Sequence, residues 1–152
     1  MSDTDNSAFR RAVVALNGGP SDARIVRLVA EQAARTKAEL IAIHVVEIDW
    51  TLPLDADIAG RSEEVQRVLD VAEAIAERCK QQMEPVLLQA RDVGAAIVDE
   101  ATERDADLLV VGLPYRKRFG GEFAIGRTIP YILQNAPCTV WVVREPMSEE
   151  ST

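Results

Sequence analysis

The chain has 152 residues, 47% of them hydrophobic and 28% charged, and a formal net charge of −8. That is the size of one domain with enough length to bury a core, and the acidic surplus opposes general binding to a polyanion such as nucleic acid. The longest apolar runs are a few residues, far short of the ~20 that span a bilayer, so no membrane insertion is expected. The N-terminus, from Met1 to Ser7, is acidic and polar, unlike a secretory signal, which makes the cytoplasm the expected location. Cys79 and Cys138 lie far apart in apolar-periodic segments and are read as reduced and buried.

Residues 1–9 are expected to form a loose tail and residues 145–152 an acidic one, leaving a single domain over 10–144. The first strand covers 12–16, an unbroken apolar run. Asn17, Gly18, Gly19 and Pro20 are a turn cluster. Ser21 and Asp22 then supply an N-cap and a first-turn acid for a helix with Ile25, Leu28, Val29 and Ala33 on its inner face. The second strand covers 40–46, and 49–60 is an irregular connection holding Trp50, Pro53, Asp55 and Asp57. Ser62 opens the longest helix, whose Val65, Val68, Leu69, Ala72, Ile75, Ala76, Cys79 and Met83 recur at spacings of three and four. Pro85 is expected to stop it. The third strand is 86–90, and Asp92 leads into a helix carrying Ile97, Val98 and Ala101.

The fourth strand, 108–111, is apolar without alternation, as in a parallel strand covered on both faces. Gly112 is expected to turn the chain off its end with a positive φ. A last helix covers 127–135, with Pro130 in its first turn and Pro137 beyond it. The fifth strand is 138–143. Five strands alternating with four main helices predict a three-layer α/β sandwich around a mainly parallel sheet. Ligands of such sheets bind outside the carboxyl ends of the strands, where the strand order reverses.

The stretch 107–128 carries the chemistry. A strand, glycines at 112, 120, 121 and 126, and a helix start at Arg127 and Thr128 make an anion site. Arg116, Lys117, Arg118 and Arg127 face a single acid, Glu122, so the loop is a basic island on an acidic protein. His44, the one histidine, sits in the second strand and is read as a buried, hydrogen-bonded strand residue, since no motif places a nucleophile beside it. Asp55 and Asp57 lack further ligands at useful spacing and are read as solvated loop acids. Trp50 covers the second helix or the crevice rim. Trp141 is either core or part of a subunit seam, because an unpaired edge strand there would be an association hazard.

The order of elements, the short first loop, the long acidic second helix and the closing Gly126-Arg127-Thr128 to Val143 segment resemble the universal stress protein family. That resemblance covers residues 10–143. It implies strand order 3-2-1-4-5 and a homodimer joined through the last strand, at Val140, Trp141, Val142 and Val143. In one branch it also implies binding of ATP, AMP or a related adenine nucleotide, with no metal beyond magnesium carried on the nucleotide. Asn17 and Gly18 would then stand near the base and ribose, the backbone of Val45 would meet the adenine, and Gly112, Arg116, Lys117, Arg118, Gly126, Arg127 and Thr128 would hold phosphates.

The branch motif is glycine, two residues, glycine, nine residues, glycine, then serine or threonine. Here Gly112 and Gly126 match, Tyr115 takes the middle glycine's place, ten residues separate it from Gly126, and Arg127 replaces the hydroxyl residue. A tyrosine forced into a left-handed conformation would cost about 1–2 kcal/mol, whereas a guanidinium is itself a good phosphate partner. Two functions remain open on these residues. One is a nucleotide-binding module acting without turnover; the other is a member with no nucleotide, acting as a dimeric interaction module. Asn17 to Ser21 also faintly echo the glycine-rich loop of ATP pyrophosphatases, but the order of Ser and Asp is reversed. A flavodoxin-like carrier would need a hydroxyl-rich first loop, which this chain lacks.

Overall fold

The apolar runs build one sheet in which every neighbouring pair of strands is parallel. β1 (Arg11–Leu16), β2 (Glu39–Glu47), β3 (Met83–Ala90), β4 (Leu108–Leu113) and β5 (Thr139–Arg144) stand in the order β3-β2-β1-β4-β5. α1 (Ser21–Ala33) and α2 (Ser62–Arg78) cover one face, and α3 (Val93–Glu103) and α4 (Thr128–Asn135) the other. The computed structural model describes residues 9–53, 62–115 and 125–147. The three-layer sandwich and its strand order are those expected.

Side chains alternate across a strand, so each central strand feeds two cores. Val14 and Leu16 of β1 join Ile25, Val29 and Leu69 under α1 and α2. Val13 and Ala15 join Ile97, Ile129 and Ile132 under α3 and α4. This double burial is why the sequence of β1 and β4 shows no polar alternation. The order reverses at β1: the chain moves outward through β2 to β3, then returns to add β4 and β5 on the other side. The β1–α1 turn therefore leaves the sheet beside the end of β4.

Several local expectations give way to tertiary context. The second helix ends at Arg78, and Met83 and Pro85 belong to β3, with Pro85 opposite Ala42. β3 is an edge strand, where a proline's missing N–H leaves no ladder bond unmade. Ser21 does not cap α1. Pro20 is the N-cap, without a side-chain bond; Asp22 is the first-turn acid expected, and its carboxylate reaches back to the preceding loop. Leu28, expected inside, is exposed, and Val26 and Ala30 fill the inner face instead. Phe9 leaves the expected tail for the core: it is 2% exposed and packs edge-on to Trp141 at 5.7 Å. Glu145, assigned to the acidic tail, donates its N–H to the Leu113 carbonyl and so extends β5 along β4. Both cysteines are free and half-buried.

Gly112 is the most informative correction. It lies inside β4, not at a turn, and is absent from the positive-φ positions, whose glycines are Gly18 and Gly126. What excludes a side chain there is α1. A Cβ at Gly112 would stand 2.5 Å from Ile25 Cδ1 and 3.5 Å from Ser21 Cβ. The glycine lets the first turns of α1 press onto the end of β4.

Candidate functional site

The carboxyl end of β1 runs into a turn that satisfies itself. Gly18 takes the left-handed conformation at φ +81°, which glycine adopts without a steric penalty. The Asn17 and Gly18 N–H groups donate to the two carboxylate oxygens of Asp22, at 3.1 and 2.8 Å. The Gly19 N–H donates to Asn17 Oδ1 at 2.7 Å. An internal carboxylate thus occupies the amide cluster that an outside anion would otherwise use. Burial pushes the Asp22 carboxyl above the ordinary range, outweighing the two amide bonds and nearby His44, which act the other way.

His44 faces the same space. Leu40, Ala42 and His44 alternate onto the α1–α2 side of β2, and the imidazole Nδ1 lies 3.0 Å from the Leu16 carbonyl oxygen. A carbonyl only accepts, so Nδ1 carries the proton and the bond sets the tautomer of the neutral ring. His44 is the hydrogen-bonded strand residue expected, but it is half-buried, because its ring lines a cleft.

That cleft, of about 760 Å³, opens between α1 and α2 at the carboxyl ends of β1 and β2. Its deep walls are apolar, with Val26, Val68, Ala72 and Ile75 among them. Asn17, Asp22, Glu47, Glu64 and Arg67 surround its mouth. Of the nucleotide-site residues that the resemblance implies, it gathers Asn17, Gly18 and Val45. The Val45 side chain belongs to the core under α3 and α4, so the backbone is the part of Val45 available to the cleft. Val65, Val68 and Arg67 of α2 also contribute. Helical periodicity identified Val65 and Val68 only as core, because a helix face that packs and one that lines a cleft share the same spacing.

The other half of the expected site stands apart. Gly112 is packed under Ile25, and Gly126, Arg127 and Thr128 are not in the lining of the cleft. Gly126 takes φ +76° with open space where a Cβ would be, and exposed Arg127 is the N-cap of α4. Arg116, Lys117 and Arg118 lie outside the described residues, as do Asp55 and Asp57. Tyr115 has no left-handed strain. Its N–H donates to Glu145, and its ring lies under the Arg144 guanidinium at 4.9 Å. Arg144 ends β5 and Glu145 follows it, so the tyrosine leans to the side of β4 away from β1. Trp50 also stays off the second helix. It is 79% exposed and stacks on Arg91 at 4.8 Å, whose guanidinium donates to the Asp49 and Leu52 carbonyls. Among the described residues, no three or more His, Cys, Asp or Glu side chains are grouped to hold a metal, and no helix is long and apolar enough to cross a membrane.

An open parallel sheet with its strand order reversed at β1, and a half-polar cleft at the strands' carboxyl ends, defines the doubly wound α/β class. Within that class the chain belongs to the universal stress protein family, whose model matches residues 8–144. It is 29% identical over 145 residues to the sensor protein KdpD of Mycobacterium tuberculosis, a match covering 95% of this chain but 16% of that protein. A universal stress protein in complex with cAMP superposes with a TM-score of 0.68 at 23% identity, covering 91% of this chain and 98% of the other. The universal stress protein of Archaeoglobus fulgidus in complex with dAMP gives 0.69 at 21% identity, covering 88% and 96%.

Proposed function

We propose that the protein binds an adenine nucleotide, ATP or AMP, at the carboxyl edge of its sheet and acts by binding, without turnover, in a stress-response or regulatory role. The base enters the cleft between α1 and α2, the Val45 backbone and Asn17 border the base and ribose, and the phosphates extend toward the basic loop and Gly126-Arg127-Thr128. The observation that carries this reading is the polarity of the cleft. Its walls are apolar and its mouth holds Asp22, Glu47 and Glu64 beside the single cation Arg67 among the described lining residues, a net acidic opening that suits a purine and disfavours phosphate. The cAMP and dAMP complexes of related proteins support the same ligand class. Arg127 offers a guanidinium where the motif has a hydroxyl.

The subunits pair along β5. The two sheet edges differ in a way that supports this: β3 is guarded by Pro85 and an exposed Glu84, whereas β5 is uncharged from Val140 to Val143, with no proline. Guarded edges resist pairing and bare ones invite it. A second reading, a module without nucleotide, is favoured by Asp22, which already fills the amide cluster of the first turn.

Native mass spectrometry of the freshly purified chain reads both points, as the mass of a dimer and of any retained nucleotide. Added ATP should raise the melting temperature in a concentration-dependent way, by the equivalent of about 2.7 kcal/mol at a hundredfold excess over Kd. Arg127→Glu should abolish that rise and leave the unliganded melting temperature unchanged. An ATP response that survives the substitution refutes the phosphate assignment, and no response in the native chain favours the second reading.

A further inference from the structure

The cleft mouth is poor in donors and rich in acceptors. The Asn17, Gly18 and Gly19 N–H groups are committed within the turn, and three carboxylates line the opening against the single cation Arg67 among the described lining residues. His44 adds an acceptor of a different kind. In the ring's neutral form, with Nδ1–H donating to the Leu16 carbonyl, Nε2 is left as a lone pair, and Nε2 has no protein partner among the described residues. The backbone carbonyl fixes both the tautomer and the ring plane, so this acceptor is pre-oriented before any ligand arrives. It lies on the cleft beside Val68, whose Cγ2 comes within 3.5 Å of the Cβ position of Gly18, with the imidazole Cε1 at 3.9 Å from the same point. A ligand ring held by apolar walls and offering an N–H at its edge is the complement of this arrangement.

We propose that His44 is a specificity-determining residue: its Nε2 accepts a hydrogen bond from the exocyclic amine of an adenine ring seated between α1 and α2. The inference rests on the nucleotide reading above and deepens it, from an adenine nucleotide in general to the atom that distinguishes adenine from other purines. A site that supplies an oriented acceptor disfavours a base without the donor, and disfavours more strongly one that presents a carbonyl in the same place.

Calorimetric titration of the full chain with AMP, with purine riboside monophosphate, which lacks the amine, and with IMP, which carries a carbonyl there, tests it. AMP should bind about tenfold tighter than the amine-free analogue, and IMP more weakly still. His44→Phe should bind AMP and the analogue equally, while His44→Gln, which keeps an acceptor at a similar reach, should restore part of the preference. A purely structural histidine would weaken all ligands alike and leave their ratio unmoved. If His44→Phe fails to fold, the native chain and His44→Gln carry the test through the same ratio. Equal affinity of the native chain for AMP and the analogue, or a preference that survives His44→Phe, overturns the role of His44 while the nucleotide reading stands. No saturable binding of any of the three ligands overturns both.

Discussion

A single methyl group at Gly112 tests how α1 is seated on the sheet. Gly112→Ala places a Cβ 2.5 Å from Ile25 Cδ1, where carbon atoms ordinarily rest about 3.5–4.0 Å apart. Either Ile25 leaves its rotamer or α1 lifts by about 1 Å. Overpacking of this kind costs about 1–3 kcal/mol, partly offset by the ~0.5–1 kcal/mol that alanine recovers by having less freedom in the unfolded chain. The expected net loss is about 1–2 kcal/mol, a fall in Tm of about 2–8 °C for a chain of this length. Ile25→Val removes the opposing methyl and alone costs about 0.5–1.5 kcal/mol. In the double variant the new methyl takes the vacated space, so its stability should match that of Ile25→Val. Urea denaturation of all four proteins at one protein concentration measures the cycle. Losses that add within about 0.5 kcal/mol would refute the contact and return Gly112 to a purely backbone role.

Asp107 ties the start of β1 to β4: its carboxylate accepts from Arg10 N–H at 2.8 Å and Arg11 N–H at 2.9 Å. Asp107→Ala should cost about 1–2 kcal/mol and speed hydrogen exchange at those two amides first; unchanged protection there would refute the tie. Asp22 predicts a pH effect of defined sign. Its folded pKa lies above the ordinary 3.8 because of burial, so between 3.8 and the raised value the folded chain holds a proton that the unfolded chain has released. Its contribution to stability is full below 3.8 and falls as pH rises through that interval. Asp22→Asn should remove this component from stability measured by urea unfolding across pH, and a carboxyl midpoint at or below 3.8 by carbon-13 NMR would contradict it.

The sequence by itself determined the layers. Apolar runs at 12–16 and 108–111, with 40–46 broken only by His44, mark strands covered on both faces, and helices at period 3.6 between them supply the cover. Asp92 was legible as a helix start for the same local reason: its carboxylate accepts from the Ala95 N–H. Tertiary structure decided what depends on neighbours distant in sequence. Pro85 reads as a helix stop until β3 proves to be an edge, and Gly112 reads as a hinge until α1 is seen lying against it. Ser21 and Asp22 both satisfy the composition of a helix start, and only the path of the turn shows that Asp22 spends its oxygens on Asn17 and Gly18. The glycine motif drew attention to 112–128, whereas the described cleft is built by His44, Val45 and α2 at the ends of β1 and β2. Local patterns report which faces are apolar; which of those faces meet, and which leave a gap between them, is set by packing across the whole sheet.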